Sequence, residues 1–409
     1  MAELFQVLTP AEARERLLQQ LPTGGRVEEI AVREALGRIL AADLVSPVQL
    51  PTFPRSVMDG YAVRARDTFG ASDGLPAYLK VSGEVAMGQA PSLQVNSGET
   101  VRVHTGGMIP AGADAVVMVE NTQVIDTTTI EVYRPVAPGE NVLQIGEDVR
   151  EGECILPNGH CLRPQDVGLL LGLGVLHVPL SVRPRVAIIA TGDEVVPPEV
   201  EPGTGQIRDI NTSTIASLVL QAGGVPRSLG IIKDDYERLR AAAELGISEG
   251  DVLIFSAGSS VSTRDMTAEV IGALGKPGVL VHGVALKPGK PTILAVCGDK
   301  PVFGLPGNPV STFVTFDLFV RPALYQLMGT APPERTTIQA RLTKNVASTF
   351  GREDYVPVRL LEEAGERVAE PIFGKSNLIS TVIRAGGLVT IPLDSGGLPA
   401  GQIVQVRRF

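Results

Sequence analysis

Two lysines on one rigid turn, Lys287-Pro288-Gly289-Lys290-Pro291, are the most direct chemical signal in the sequence. The prolines restrict the backbone, so the two ammonium groups keep a narrow range of positions. Apolar stretches flank the turn, Val284 to Leu286 and Ile293 to Val296. Such a pair either stays solvated or binds an anion. Beside an oxyanion-binding loop it would suit a phosphorylated substrate. One candidate loop is Ser256-Ala257-Gly258-Ser259-Ser260-Val261-Ser262-Thr263-Arg264-Asp265. Its hydroxyls and N–H groups, just ahead of a helix, can cradle a phosphate or simply cap that helix at Ser262 or Thr263. The GxxxxGK[ST] spacing of a P-loop is absent. A third loop, Leu305-Pro306-Gly307-Asn308-Pro309-Val310-Ser311, also opens a helix and reads either as a rigid connection or as part of a site. Asp59, Asp148, Glu194 and Asp265 lie in Gly-rich or loop contexts, with Glu147 and Asp193 next to two of them. Converging carboxylates would hold Mg²⁺, which keeps several waters and takes substrate phosphate as a further ligand. Taken singly, each also suits a surface or a helix cap.

The elements that would position these groups follow from periodicity. Thr9, Pro10 and Glu12 mark a capped helix with Leu17, Leu18 and Leu21 on its apolar side, before Pro22 and Gly24-Gly25. Val27 to Val32 alternates, Arg33 to Leu44 reads as a helical turn leading into a strand, and the prolines of Ser46 to Pro54 suggest an extended crossover. From Tyr61 to Pro138, short apolar stretches such as Ala77 to Val81 and Ala115 to Val119 predict a β-rich unit. A helix is expected over Arg163 to Leu171. After Arg183, strands alternate with helices. The strands are Arg185 to Ala190, Val225 to Ile232, Asp251 to Ser256 and Pro301 to Leu305. The helices are Asn211 to Ala222, Tyr236 to Leu245, Asp265 to Leu274 and one long helix from Pro309 to Leu327. That alternation predicts a parallel sheet covered on both faces, with ligands beyond the carboxyl ends of its strands. Gly329 to Thr337 reads as a linker into a small, barrel-like β unit.

The expected fold is therefore multi-domain α/β plus β. It has a central three-layer α/β domain with a mostly parallel sheet, a β-rich insertion in the N-terminal half and a small β-barrel-like C-terminal domain. The boundaries read as 1–51 with 146–180, 52–145, 181–329 and 330–409. The 409 residues carry a net charge of −9, with 45 Gly, 31 Pro and no Trp, which favours short elements and tight turns. The acidic balance argues against a general nucleic-acid binder. The apolar run Val167 to Leu176 is too short to cross a membrane and is broken by Gly168, Gly172 and Gly174. Glu3, Glu12 and Glu15 do not suit a leader segment. Cys154, Cys161 and Cys297 form no CxxC and suit reduced thiols in a cytoplasmic protein. His104, His160, His177 and His282 are too scattered to suggest a zinc site.

Taken in order, the motifs resemble the MoeA-type molybdopterin molybdenumtransferases, which include the gephyrin E domain. They comprise Ser56-Val57-Met58-Asp59-Gly60-Tyr61-Ala62, Thr105-Gly106 with Pro110, Gly112 to Val117, and Gly146-Glu147-Asp148. Thr191-Gly192-Asp193-Glu194, Ile207 to Asn211, Asp234-Asp235, Lys287 to Pro291 and Gly304 to Ser311 follow. The resemblance implies insertion of molybdate into adenylated molybdopterin, with release of AMP and a requirement for Mg²⁺. Molybdate and adenylated molybdopterin would be the substrates. It implies Asp59, Asp148, Glu194, Asp265, Lys287 and Lys290 as the working residues, with Asp59, Glu194 and Asp265 at the metal. Thr191, Gly192, Asp234, Asp235, Ser256, Gly258 and Ser260 would bind substrate from one side. Pro306, Gly307, Asn308 and Ser311 would bind from the other, with Arg352 and Ser376 of the C-terminal unit.

The resemblance also implies an elongated homodimer, in which the Asp59 loop meets the partner's α/β domain, and contact with the molybdopterin adenylyltransferase. Two differences stand out. Ala257, Ser259 and Ser262 replace a Gly, a Val and a Gly of the family's serine-rich loop, and Leu143-Gln144-Ile145 stands where many members carry arginines. Two other readings are an adenylyltransferase, which resembles the central domain alone, and a non-catalytic scaffold of the gephyrin kind. Tungstate use is a further variant.

Overall fold

The central sheet takes its order from alternating buried side chains. In the computed structural model, which describes residues 7–257 and 261–409, its six strands run Val225–Ile232, Arg185–Thr191, Val252–Ala257, Lys300–Pro306, Ile293–Cys297 and Pro277–His282. Val186, Ile188, Ile254 and Phe303 face one side, and Ala187, Ile189, Leu253, Phe255 and Val302 the other. Successive side chains on a strand point to opposite faces, so near-continuous apolar runs bury both. Helices Asn211–Gln221 and Pro309–Thr315 cover the first face, while Tyr236–Glu249 and Val261–Ala273 cover the second. This is the expected three-layer arrangement.

The sheet is mostly parallel, as expected, and its last two strands are the exception. Ile293–Cys297 runs antiparallel to Lys300–Pro306, and Pro277–His282 antiparallel to Ile293–Cys297. The turn at Gly298 is too short for a helical crossover, so the chain reverses as a hairpin. The expected long helix over 309–327 is also modified. It is three consecutive segments, Pro309–Thr315, a π-helical turn Phe316–Val320, and Arg321–Leu327. Pro322 has no N–H to donate, which favours the wider turn before it.

The first helix, Pro10–Leu18, has the expected capping box. Thr9 Oγ1 accepts from the Glu12 N–H at 3.2 Å, and Glu12 Oε2 accepts from the Thr9 N–H at 2.9 Å. Ala13, Leu17 and Leu21 enter the core of the central sheet beside Val186 and Leu294. The rest of the N-terminal half is joined by strand pairs that bring distant segments together. Val27–Ala31 pairs with His177–Ser181, Leu44–Val45 with Cys154–Leu156, and Arg55–Ser56 with Val142–Leu143. Between the last two lies a six-stranded sheet, centred on Glu99–Val103 and Ala77–Glu84, with Gly60–Val63 beside Glu99–Val103. Tyr61 and Val63 are buried on one face of it and Ala62 on the other.

Helix Pro164–Gly172 lies close to its expected place. Asp166, only 3% exposed, accepts from the Arg163 side chain at 2.9 and 3.0 Å and meets His160 Nε2 at 2.7 Å. The Arg163 hydrogen bonds, with help from His160, hold its carboxyl well below the usual carboxylate range despite burial. A depressed folded value stabilises the protein above the unfolded carboxyl range and loses that stabilisation as pH falls through the folded value. Asp166→Asn is therefore expected to cost about 2 kcal/mol near neutral pH. The difference from wild type should shrink below about pH 4, as read by urea unfolding across pH.

The C-terminal strands Thr337–Leu342, Glu353–Glu363, Glu366–Pro371, Ile403–Arg407 and Gly387–Ile391 close on themselves, because Glu353–Glu363 also pairs with Gly387–Ile391. The expected barrel is present, filled by Leu342, Val358, Ala369, Val389 and Val406. A further two-residue strand, Leu286–Lys287, adds to its margin in parallel, with Lys287 opposite Asp354. The central domain thus lends a strand to the barrel. No helix among the described residues is long and apolar enough to cross a membrane.

Candidate active site

Three strand ends lie side by side. Ala190 is in register with Ser256, and Ala257 with Pro306. The loops after Thr191 and Pro306 therefore leave from one edge of the sheet, beside the end of Val252–Ala257, as the alternation pattern required. Helix Asn211–Gln221 begins there, and its first residue ties the end of that strand to the loop after Pro306. Asn211 Nδ2 donates to Ser256 Oγ at 3.1 Å and to the Gly307 carbonyl at 2.8 Å. The result is a cleft of about 350 Å³ lined by Thr191, Glu194, Asn211, Ser256, Gly307 and Asn308.

Gly192 shapes this cleft. Its φ is +136°, and a Cβ there would lie 2.7 Å from Glu194 Oε2 and 3.0 Å from Val195 Cγ2. Gly192→Ala is expected to displace the Glu194 carboxylate and to destabilise by about 1–3 kcal/mol, measurable by thermal unfolding.

A larger cleft of about 760 Å³ opens between the lysine turn and the barrel. Lys287, Lys290, Pro306, Ser311, Arg352 and Ser376 all line it. The turn is held by close packing at Gly289, where φ is +116° and a Cβ would meet Thr315 Cγ2 at 2.5 Å. Asn308 Nδ2 donates to Ser376 Oγ at 3.0 Å, and the Val310 N–H donates to the Ser376 carbonyl at 3.1 Å. These bonds bring the barrel's 374–377 loop against the start of helix Pro309–Thr315. Asn308 and Asn377 line both clefts, so the two cavities meet there.

The larger cleft contains a buried carboxylate that the sequence reading did not single out. Asp354 accepts from Arg352 Nε at 2.9 Å and from Arg352 Nη2 at 3.4 Å, and lies 3.6 Å from Lys287 Nζ. Asn211 and Asn377 were also not singled out as site residues. The spacing Arg352-x-Asp354 beside an already chosen arginine was the available signal for Asp354.

The remaining acidic candidates are distributed. Glu194 lines the smaller cleft. Asp265 is exposed and stands within helix Val261–Ala273, whose start lies ahead of the expected one at Asp265. Gly258 and Ser260 lie outside the described residues. Asp235 caps helix Tyr236–Glu249, accepting from the Arg238 N–H at 2.9 Å. The Asp234 N–H donates to Asp193 Oδ1 at 3.4 Å. Asp148 is on an exposed acidic turn with Glu147, Glu151 and Glu153. Asp59 lies in the bend just ahead of strand Gly60–Val63, where Oδ1 accepts from the Thr105 N–H at 2.9 Å and lies 3.6 Å from His104 Nδ1. The Thr105 N–H is the main reason its carboxyl sits below the usual range.

Neither Asp59 nor Asp148 lines either of these clefts. Among the described residues, no three His, Cys, Asp or Glu side chains gather as a metal would require. Within one chain, the expected centre of Asp59, Glu194 and Asp265 is therefore not assembled. Of the three, Glu194 lines the smaller cleft, beside Asp209, and could give one carboxylate to an ion that takes its other ligands from substrate phosphate and water.

Residues 8–174 match the MoeA N-terminal region (domain I and II), 187–326 a probable molybdopterin binding domain, and 339–409 the MoeA C-terminal region (domain IV). The chain is 32% identical to the molybdopterin molybdenumtransferase of Bacillus subtilis, across 97% of this chain and 93% of that one. It is 33% identical to the molybdopterin molybdenumtransferase of Haemophilus influenzae, across 98% and 99%. A crystal structure of the molybdopterin biosynthesis moeA protein from Pyrococcus horikoshii OT3 superposes with a TM-score of 0.86 at 34% identity, covering 99% of this chain and 100% of that one. Matched along all three regions and to relatives of nearly equal length, the chain belongs to the MoeA family.

Proposed function

We propose that this protein is a molybdopterin molybdenumtransferase of molybdenum cofactor biosynthesis, which inserts molybdate into adenylated molybdopterin and releases AMP. The observation that carries this reading is the pair of clefts that meet at Asn308 and Asn377. One is lined by hydroxyls, amides and Glu194, and the other by Lys287, Lys290 and Arg352. A phosphoanhydride-containing substrate and a small dianion call for two such neighbouring environments. The relatives named above support it.

In this reading water adds to phosphorus as the phosphoanhydride P–O bond breaks, giving AMP and the terminal phosphate of molybdopterin, while two molybdate oxygens leave as water with the dithiol protons as the two sulfurs bind molybdenum. Lys287, Lys290 and Arg352 offset the charge that accumulates on the anions, without a covalent nucleophile. Ser256, Asn308, Ser311 and Ser376 supply donors that orient them. Mg²⁺, when bound with the substrate phosphates, neutralises part of their charge, and Glu194 is placed to hold it. Asp59 and Asp148 would join through a homodimer, Asp59 reaching the central domain of the partner subunit. Upstream contact with the molybdopterin adenylyltransferase completes the proposal.

The test is to incubate the purified protein with adenylated molybdopterin, Mg²⁺ and molybdate and to measure AMP. Molybdate-dependent release is expected. No release overturns the reading, and release of pyrophosphate from ATP with free molybdopterin would make it an adenylyltransferase. Exchanging tungstate for molybdate reads the choice of metal.

A further inference from the structure

The larger cleft holds two cations on one buried anion, and the backbone dictates that geometry. The parallel pairing of Leu286–Lys287 with Glu353–Glu363 sets Lys287 opposite Asp354, and the Glu353 N–H donates to the Ala285 carbonyl at 2.9 Å. Arg352, two residues before Asp354, turns back so that both Nε and Nη2 engage its carboxylate. Asp354 is 3% exposed, whereas the Lys287 side chain is 59% exposed and lines the cleft. The anion is thus the anchor and the cations are what a ligand meets. Two unanchored neighbouring cations would repel and turn apart, and a ligand would then have to spend binding energy gathering them. Held in advance, they meet a tetrahedral oxyanion without reorganisation.

We propose that Asp354 is a positioning residue, which presets Lys287 and Arg352 as an oxyanion clamp specific to the inorganic anion rather than to the adenylated co-substrate. This rests on the functional reading above. An inserted carboxylate near an anion site would ordinarily weaken anion binding by repulsion. The structure places Asp354 where both oxygens are already committed to cations, which leaves its orienting effect dominant.

The test is Asp354→Asn in the full-length protein, with two readouts. In AMP release, the KM for molybdate is expected to rise about tenfold or more, while kcat and the KM for adenylated molybdopterin stay within about twofold. In calorimetry with sodium molybdate alone, affinity should fall by the same factor. Asp354→Glu keeps the charge but shifts the carboxylate by one methylene. It should show a smaller loss confined to molybdate, and it serves if the asparagine variant fails to fold.

A folded variant with wild-type molybdate KM and affinity overturns the proposal and leaves the transferase reading intact. An equal loss in both substrates also overturns it, because it would mean general damage to the cleft. If wild type releases no AMP but binds molybdate, and Asp354→Asn weakens that binding, the transferase reading fails and the clamp survives. Wild type that takes no molybdate overturns both.

Discussion

Replacing Lys287 with alanine is expected to cut AMP release by about 10²–10³-fold, the loss typical when one preorganised stabiliser of developing charge is removed. The protein should stay folded. The Lys287 side chain is largely exposed, and its 3.6 Å pairing with Asp354 is at the cleft wall rather than in a core. A partly exposed pair of this kind contributes about 0–1 kcal/mol, so the melting curve should hardly move. The strand Leu286–Lys287 is fixed by backbone bonds that alanine keeps. Chromatographic quantitation of AMP, beside thermal unfolding of the same preparation, checks both halves. A rate within twofold of wild type would remove this ammonium from the mechanism. Because Lys287 touches the inorganic anion in our reading while Asp354 acts through it, the lysine variant should lose kcat and molybdate affinity together, where the aspartate variant loses affinity alone.

The second large effect concerns stability. Asp317→Asn should destabilise the protein by about 3 kcal/mol or more, as expected when one partner of a buried charge cluster is removed. Asp317 Oδ1 accepts from Arg335 Nη2 at 2.9 Å and Oδ2 meets Arg407 Nη1 at 3.0 Å, with its side chain 8% exposed. It sits in the π-helical turn of the central domain. Arg335 comes from the connection to the barrel, and Arg407 from the barrel's last strand. Arg407 also lies over the Tyr355 ring at 6.0 Å. Without the carboxylate, two guanidinium groups face one another half-desolvated, and the barrel loses a charged tie to the helix. Urea unfolding should show the loss, and hydrogen exchange should quicken first in Thr337–Leu342 and Ile403–Arg407. A change below about 0.5 kcal/mol, the range of ordinary surface substitutions, would show that the cluster is dispensable.

Local pattern carried much of the architecture. Thr9, Pro10 and Glu12 encode a helix start that the side chains form as expected. The unbroken apolar runs at Arg185–Thr191 and Val252–Ala257 require burial on two faces, and they receive it. The lysine turn and the Pro306 to Ser311 loop could be chosen because proline and glycine fix a backbone wherever they occur. Non-local pairing was not legible. Nothing in Leu286-Lys287 announces that its partner strand begins at Glu353, and the alternation of Asp354 to Val358 reads as an ordinary strand. The direction of Ile293–Cys297 was hidden for the same reason, since parallel and antiparallel strands share one apolar periodicity and only the length of the connection distinguishes them. Helix Val261–Ala273 begins ahead of the expected start at Asp265. The acidic residues were the least legible part. Asp235 and Asp166 meet N-terminal helix N–H groups, a use that leaves the same sequence signature as a ligand.

The shared edge at Leu286–Lys287 bears on how hybrids of this protein with its relatives should be built. A graft made at the obvious hinge after Gly329 would give a foreign tail a docking strand from the wrong parent, with its lysine one register choice away from the wrong neighbour. Exchanging everything from before Val284 onward would carry both halves of that seam together. Inheritance of the tail is then inseparable from inheritance of the turn.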